Sequence, residues 1–227
     1  GGYDRKLIQR ILLVGFTPFI IIAVDNVMII SMNSVLQTYG GPGEGDMLIT
    51  CATIVQSFML VITMPLGGIT GGTQTILAFN YGAGQPDRVK KAQRFIFFLS
   101  AGYTTILFIL AQTAGHIFVR LFTSDPALIA EAAKTIKIYT LAVIPLSIQY
   151  VIVDGFTGLG KVQLSLPLSF FRKLVYFLPL FLLPRFFGAR ATFYAEPISD
   201  IIAPVVSIFI YAVAMKRILK KPVIPNF

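Results

Sequence analysis

The sequence predicts an all-α, polytopic membrane protein: a bundle of six transmembrane helices forming one lobe over residues 1–227. Three observations lead there. Only 13% of residues are charged and 56% are hydrophobic, whereas a soluble domain is roughly a quarter charged. Mean hydropathy is +0.79. The apolar residues fall into six runs, each long enough for the roughly 20 residues that a spanning helix needs.

The first span covers about residues 8–36 and is opened by Asp4, Arg5, Lys6 and Arg10. The loop QTYGGPGEGD, without Lys or Arg, leads to the second span at about 47–80. A Gly/Asn/Pro-rich bend and the cluster Arg88, Lys90, Lys91, Arg94 bring in the third, about 92–122. In TSDPA, Asp125-Pro126 reads as a helix start. The fourth span is about 127–158. The turn GLGK separates it from the fifth, about 163–186. The sixth, about 190–215, ends in KRILKK. Most runs exceed what a span needs, so tilts and bends are expected, with Pro65, Pro145, Pro167, Pro179 and Pro204 among the inducers.

Lys and Arg concentrate at the N-terminus, at 81–94, at Lys161 and in the C-terminal tail. The positive-inside rule then places both termini in the cytoplasm, with Gly40–Gly45 and Arg185–Arg190 outside. The net charge of +9 is accordingly read as a topology signal and an affinity for anionic membrane lipid. Nucleic acid is not an expected partner. Cys51 is the sole cysteine and His116 the sole histidine, so the sequence offers neither a disulfide nor a metal-ligand cluster. No catalytic triad, nucleotide fingerprint or cleavable leader is recognisable, so neither an enzyme nor a cofactor is expected. Gly67, Gly68, Gly71 and Gly72 lack a following GK[ST] and read as packing or flexing residues.

Ionisable groups within spans are costly and mark function by default. Asp25 lies near the middle of the first span, with Asn26 beside it and Asn33 one heptad on. It is a candidate proton- or cation-coupling site; the plainer reading is a hydrogen-bonded helix tie. Ser147, Tyr150, Asp154 and Thr157 share one face of the fourth span. Asp154 either serves coupling or makes a salt bridge to Arg172 across the short turn. Glu196 and Asp200, one turn apart on the sixth span, have Arg185 and Arg190 as expected neutralising partners and read as functional or structural alike. Arg172, Glu196 and Asp200 are assigned to structural charge pairing. Gln56 and Gln74, with Asn26, Asn33, Ser147 and Tyr150, are candidates for a substrate cavity or for interhelical glue.

Residues 67–92 carry a resemblance. Gln74, Asn80, Tyr81, Gly82, Ala83, Arg88, Val89, Lys90, Lys91 and Ala92 stand in the order found at the cytoplasmic turn between helices seven and eight of the multidrug and toxic compound extrusion (MATE) family, with Thr75 in place of a proline. Downstream, RLFTSD (120–125), FTGLGK (156–161), FRKLVYFLPLFLLPRFFG (171–188) and AEPISD (195–200) resemble further family motifs in sequence order. Thr157, Ala191 and Phe193 depart from the usual residues. The resemblance maps the six spans onto helices seven to twelve, the C-terminal lobe of a twelve-helix antiporter.

The resemblance implies export of cationic lipophilic compounds in exchange for transported sodium ions or protons, in a bacterial cytoplasmic membrane, by rocking against an N-terminal lobe or a second copy. It implies an acidic residue in the seventh helix, close to Asp25. The family's tenth-helix aspartate falls nearer Ile148 or Gln149 than Asp154. Two alternatives stand beside this reading: a lipid-linked-precursor or polysaccharide flippase of the same superfamily, and a non-transporting assembly unit that needs a partner lobe.

Overall fold

The structure, a computed structural model, describes residues 5–219, the side chains of 5–7, 9–18 and 21 excepted. The charged groups expected to open the first span (Asp4, Arg5, Lys6 and Arg10) and the tail lysines 220 and 221 lie outside the described residues.

The described chain holds helices and no strand: α1 Arg5–Gly40, α2 Glu44–Gly72, α3 Gln74–Gly82, α4 Pro86–Val119, α5 Pro126–Tyr139, α6 Val143–Gly158, α7 Val162–Phe187, a 3-10 turn Ala189–Tyr194, and α8 Ala195–Ile218. Among the described residues, four stretches are long and apolar enough to cross a membrane: Glu44–Gly82, Pro86–Val119, Val162–Phe187 and Ala189–Ile218. The pair α5 and α6, bent by 50°, makes a fifth as one broken span. With α1 they form a six-helix membrane lobe.

Two of the expected spans are broken. The second splits at Thr73, between α2 and α3. The Thr73 hydroxyl donates to the carbonyls of Ile69 (2.9 Å) and Thr70 (2.8 Å), competing with the backbone ladder just after Gly71 and Gly72. The fourth bends at 140–142, where α5 ends and α6 begins. Pro145 has no N–H for the carbonyl of Leu141 and its ring crowds that position, while the Thr140 hydroxyl turns back to Ile136 O at 2.8 Å. Asp125 caps α5, its side chain accepting from the Ala127 N–H at 2.9 Å. Gly188, at φ +79°, closes α7 in the left-handed region and turns the chain into the 3-10 segment.

α6 is the central element. It packs against α2, α3, α4, α7 and α8, while α1 lies against α2 and α7. Two apolar clusters fill the bundle, one above the other. The first joins Met32, Leu36, Leu48, Ile62, Ile136, Leu146, Leu180 and Phe193. The second joins Leu77, Ile96, Ile152, Phe156, Leu168 and Met215. Phe79, Phe95, Phe98, Leu178, Phe186 and Phe209 point outward. Such an apolar exterior suits acyl chains as its solvent, since no backbone edge is left unpaired there.

The two ends are tied differently. At one end Lys161, in the turn before α7, has its Nζ 5.5 Å from the ring centroid of Tyr81 on α3. At the other, Arg190 joins Glu44 at the start of α2 (2.9 Å) and Glu131 on α5 (2.6 Å).

Candidate functional site

Charged and amide groups meet in the interior between α1, α2, α6, α7 and α8. Asp25 on α1 is in ion-pair contact with Lys173 on α7. The two partners differ in access: the Asp25 side chain is 47% exposed and that of Lys173 4%. A half-exposed carboxylate is therefore backed by a buried ammonium. A lysine can thread its stem through apolar surroundings and bring its charge to such a position.

Asp154 on α6 has neutral partners. Thr70 on α2 donates to it at 2.5 Å and Gln74 on α3 at 3.1 Å. These donors flank the break at Thr73, so one carboxylate staples both halves of a broken span to α6. The helices touch closely here: a Cβ on Gly158 would lie 2.9 Å from Gln74 O and 3.0 Å from its Cα. The expected Asp154–Arg172 bridge is not formed. Gln149 donates to the carbonyl of Leu168 at 3.2 Å, which sets the register of the α6–α7 hairpin. At that register Asp154 is level with Gln163, and Arg172 with Pro145 (roughly two turns deeper).

Arg172 turns to α8 instead. Its Nη1 lies 3.2 Å from Glu196 Oε1 and 3.0 Å from Asp200 Oδ1. Tyr139 on α5 contacts Glu196 Oε2 at 3.4 Å. The expectation that Arg185 and Arg190 neutralise Glu196 and Asp200 is corrected for Arg190, which is engaged with Glu44 and Glu131. Arg185 is exposed near the end of α7.

The remaining candidates scatter. Asn26 is exposed and donates to Ile22 O at 2.9 Å within its own helix. Asn33 is half-buried on α1, and its Oδ1 accepts no hydrogen bond among the described residues. Gln56 is half-buried on α2, and Gln74 is bound to Asp154. Ser147 is buried and donates to Ile144 O at 2.7 Å. Tyr150 packs on the first apolar cluster. The interior also contains groups that composition and spacing did not single out. Gln149 joins the Leu168 carbonyl to the Ser207 hydroxyl, which donates to its Oε1 at 2.5 Å. Gln93 donates to Val151 O at 3.0 Å. Lys173, a charge inside an apolar run, was a readable signal for a buried partner.

A helical bundle with an apolar exterior and carboxylates held by a cation, an amide and hydroxyls has the build of an integral membrane protein. A MatE family profile matches residues 22–183, and the chain belongs to that family. It is 21% identical over 206 residues to a multidrug export protein, MepA, of Staphylococcus haemolyticus, covering 91% of this chain and 44% of the relative. It is 25% identical over 151 residues to an FAD transporter of Shewanella oneidensis, covering 66% of this chain and 33% of the relative. Among solved structures, an inward-facing multidrug-resistance MATE transporter superposes with TM-score 0.84 at 16% identity, over 97% of this chain and 50% of that one. An outward-facing form gives 0.85. The chain thus spans half or less of the length of the relatives it matches.

Proposed function

We propose that this chain is the C-terminal lobe of a secondary multidrug antiporter. It would act in a bacterial cytoplasmic membrane with both termini inside, working against an N-terminal lobe or a second copy. The cargo is cationic and lipophilic, and the driving ion is a proton or sodium. The observation that carries this reading is the Asp25–Lys173 pair within the spans: a half-exposed carboxylate balanced by a buried ammonium.

An arriving proton neutralises Asp25 and releases Lys173. A cationic substrate or a sodium ion competes with Lys173 for the same carboxylate. Each occupant leaves a different charge between α1 and α7, so each biases the lobe's packing differently, which coupling requires. Asp154 adds a second carboxylate at the α2–α3 break. Discontinuous helices are where transporters commonly place ion and substrate groups.

The test is ethidium efflux by cells expressing the natural polypeptide that carries this chain. Asp25→Asn lowers efflux at unchanged membrane abundance; unchanged efflux removes Asp25 from the mechanism. One observation favours a second reading. Lys173 and Arg172 bring two cations to the same interior, and one relative is a transporter of FAD, an anion. Anionic cargo is tested in the same cells: retention of ethidium with export of a flavin nucleotide supports it.

A further inference from the structure

Glu196 and Asp200 share one guanidinium. Arg172 Nη1 donates to Glu196 Oε1 at 3.2 Å and to Asp200 Oδ1 at 3.0 Å. Asp200 is fully buried, and its second oxygen, Oδ2, accepts no hydrogen bond among the described residues. The adjacent Ser199 hydroxyl is spent on the Glu196 carbonyl at 2.8 Å. Glu196 Oε2 has only the long contact of 3.4 Å with Tyr139 among its described hydrogen bonds.

The charges do not balance. Among the described residues, the titratable groups facing this cluster are Tyr139 from α5, Tyr150 from α6, Tyr176 and Lys173 from α7, and Asp25 from α1. The tyrosines are neutral, and Lys173 is in contact with Asp25. Even taken together with that pair, three carboxylates face two cations among the described residues. An excess anion inside a membrane bundle is strongly disfavoured. Two carboxylates that crowd one site relieve the excess by sharing a proton.

The geometry points to a proton-binding site at Glu196 and Asp200: the two carboxylates jointly hold one proton against Arg172, at a place separate from Asp25. One carboxylate takes up a proton and becomes a neutral acid, and releasing it returns the cluster to one net negative charge. The unpartnered Asp200 Oδ2 is the atom that accepts it. A sodium ion is a poorer occupant, because such an ion needs several oxygen ligands and, among the described buried atoms, Oδ2 is the one unpartnered carboxylate oxygen. The site deepens the antiport reading by naming a proton carrier within this lobe. Its test reads the proton itself, so it succeeds or fails independently of transport.

The experiment is infrared difference spectroscopy on the natural polypeptide in lipid nanodiscs, following the carbonyl stretch of a neutral carboxylic acid at neutral pH. The wild type shows a band that Glu196→Gln and Asp200→Asn each abolish. After either change, one carboxylate faces one guanidinium and no proton is needed. Asp154→Asn leaves that band in place. Two single variants guard against misfolding of one, with size-exclusion elution checking both. A wild type without the band overturns the proposal, as does a band that survives in either variant or that sodium chloride abolishes.

Discussion

Replacing Arg172 with methionine is the most severe single change the lobe's interior offers. Methionine fills a similar volume without charge, so the loss is electrostatic. The guanidinium serves two carboxylates, the buried Asp200 at 3.0 Å and the mostly buried Glu196 at 3.2 Å. Removing one partner from a buried ion pair costs about 3–5 kcal/mol, because the charge left behind stays out of water. A domain of this size loses roughly 2–4 °C in melting temperature per kcal/mol, so the expected drop is roughly 6–20 °C. The assay is thermal unfolding of the purified protein in detergent, read by fluorescence-detected size exclusion. Combining Arg172→Met with Glu196→Gln and Asp200→Asn removes the stranded charges and restores most of the loss. A single Arg172→Met variant melting within about 2 °C of wild type refutes the argument, because so small a shift corresponds to at most about 1 kcal/mol.

Other changes separate the sites. Gly158→Ala drives a methyl into the backbone of Gln74; overpacking of this kind costs about 1–3 kcal/mol, so the variant melts several degrees lower, and a neutral result denies the close α3–α6 contact. Asp154→Asn keeps the shape but weakens the two bonds that staple α2 and α3 to α6; hydrogen exchange over 74–82 should speed up while α8 stays unchanged. Lys173→Gln has little effect on melting, since Asp25 is half exposed and water compensates it. Ethidium binding should tighten severalfold once the competing ammonium is gone, measured by fluorescence anisotropy; weaker binding contradicts the competition.

Six apolar runs and their polar breaks were readable because lipid imposes length and composition on a span. What was lost is instructive. The break at Thr73 depends on one hydroxyl turning back on its own helix, and hydropathy does not register it. A short turn does not bring Asp154 and Arg172 to one depth. A hairpin pairs residues equidistant from its turn, and the Gln149–Leu168 contact shows that these are not. Asp25 was legible as an acid within a span, but its partner was not, since Lys173 lies on a span far away in sequence. Likewise, Glu196 and Asp200 were visible as a pair, whereas the choice of Arg172 over Arg190 depended on the fold. Family motifs placed the chain in its family, yet they said nothing about how its charges pair.

The most direct measurement is exchange in sealed vesicles. The natural polypeptide carrying this lobe is reconstituted in proteoliposomes, and an outward or inward gradient of protons or of sodium is imposed in turn. The account predicts that one of these gradients drives ethidium against its own concentration, that collapsing that gradient stops it, and that Asp25→Asn abolishes the response. Ethidium movement indifferent to both gradients, or driven equally well by the Asp25→Asn protein, contradicts the claim that this lobe couples an ion to cationic cargo.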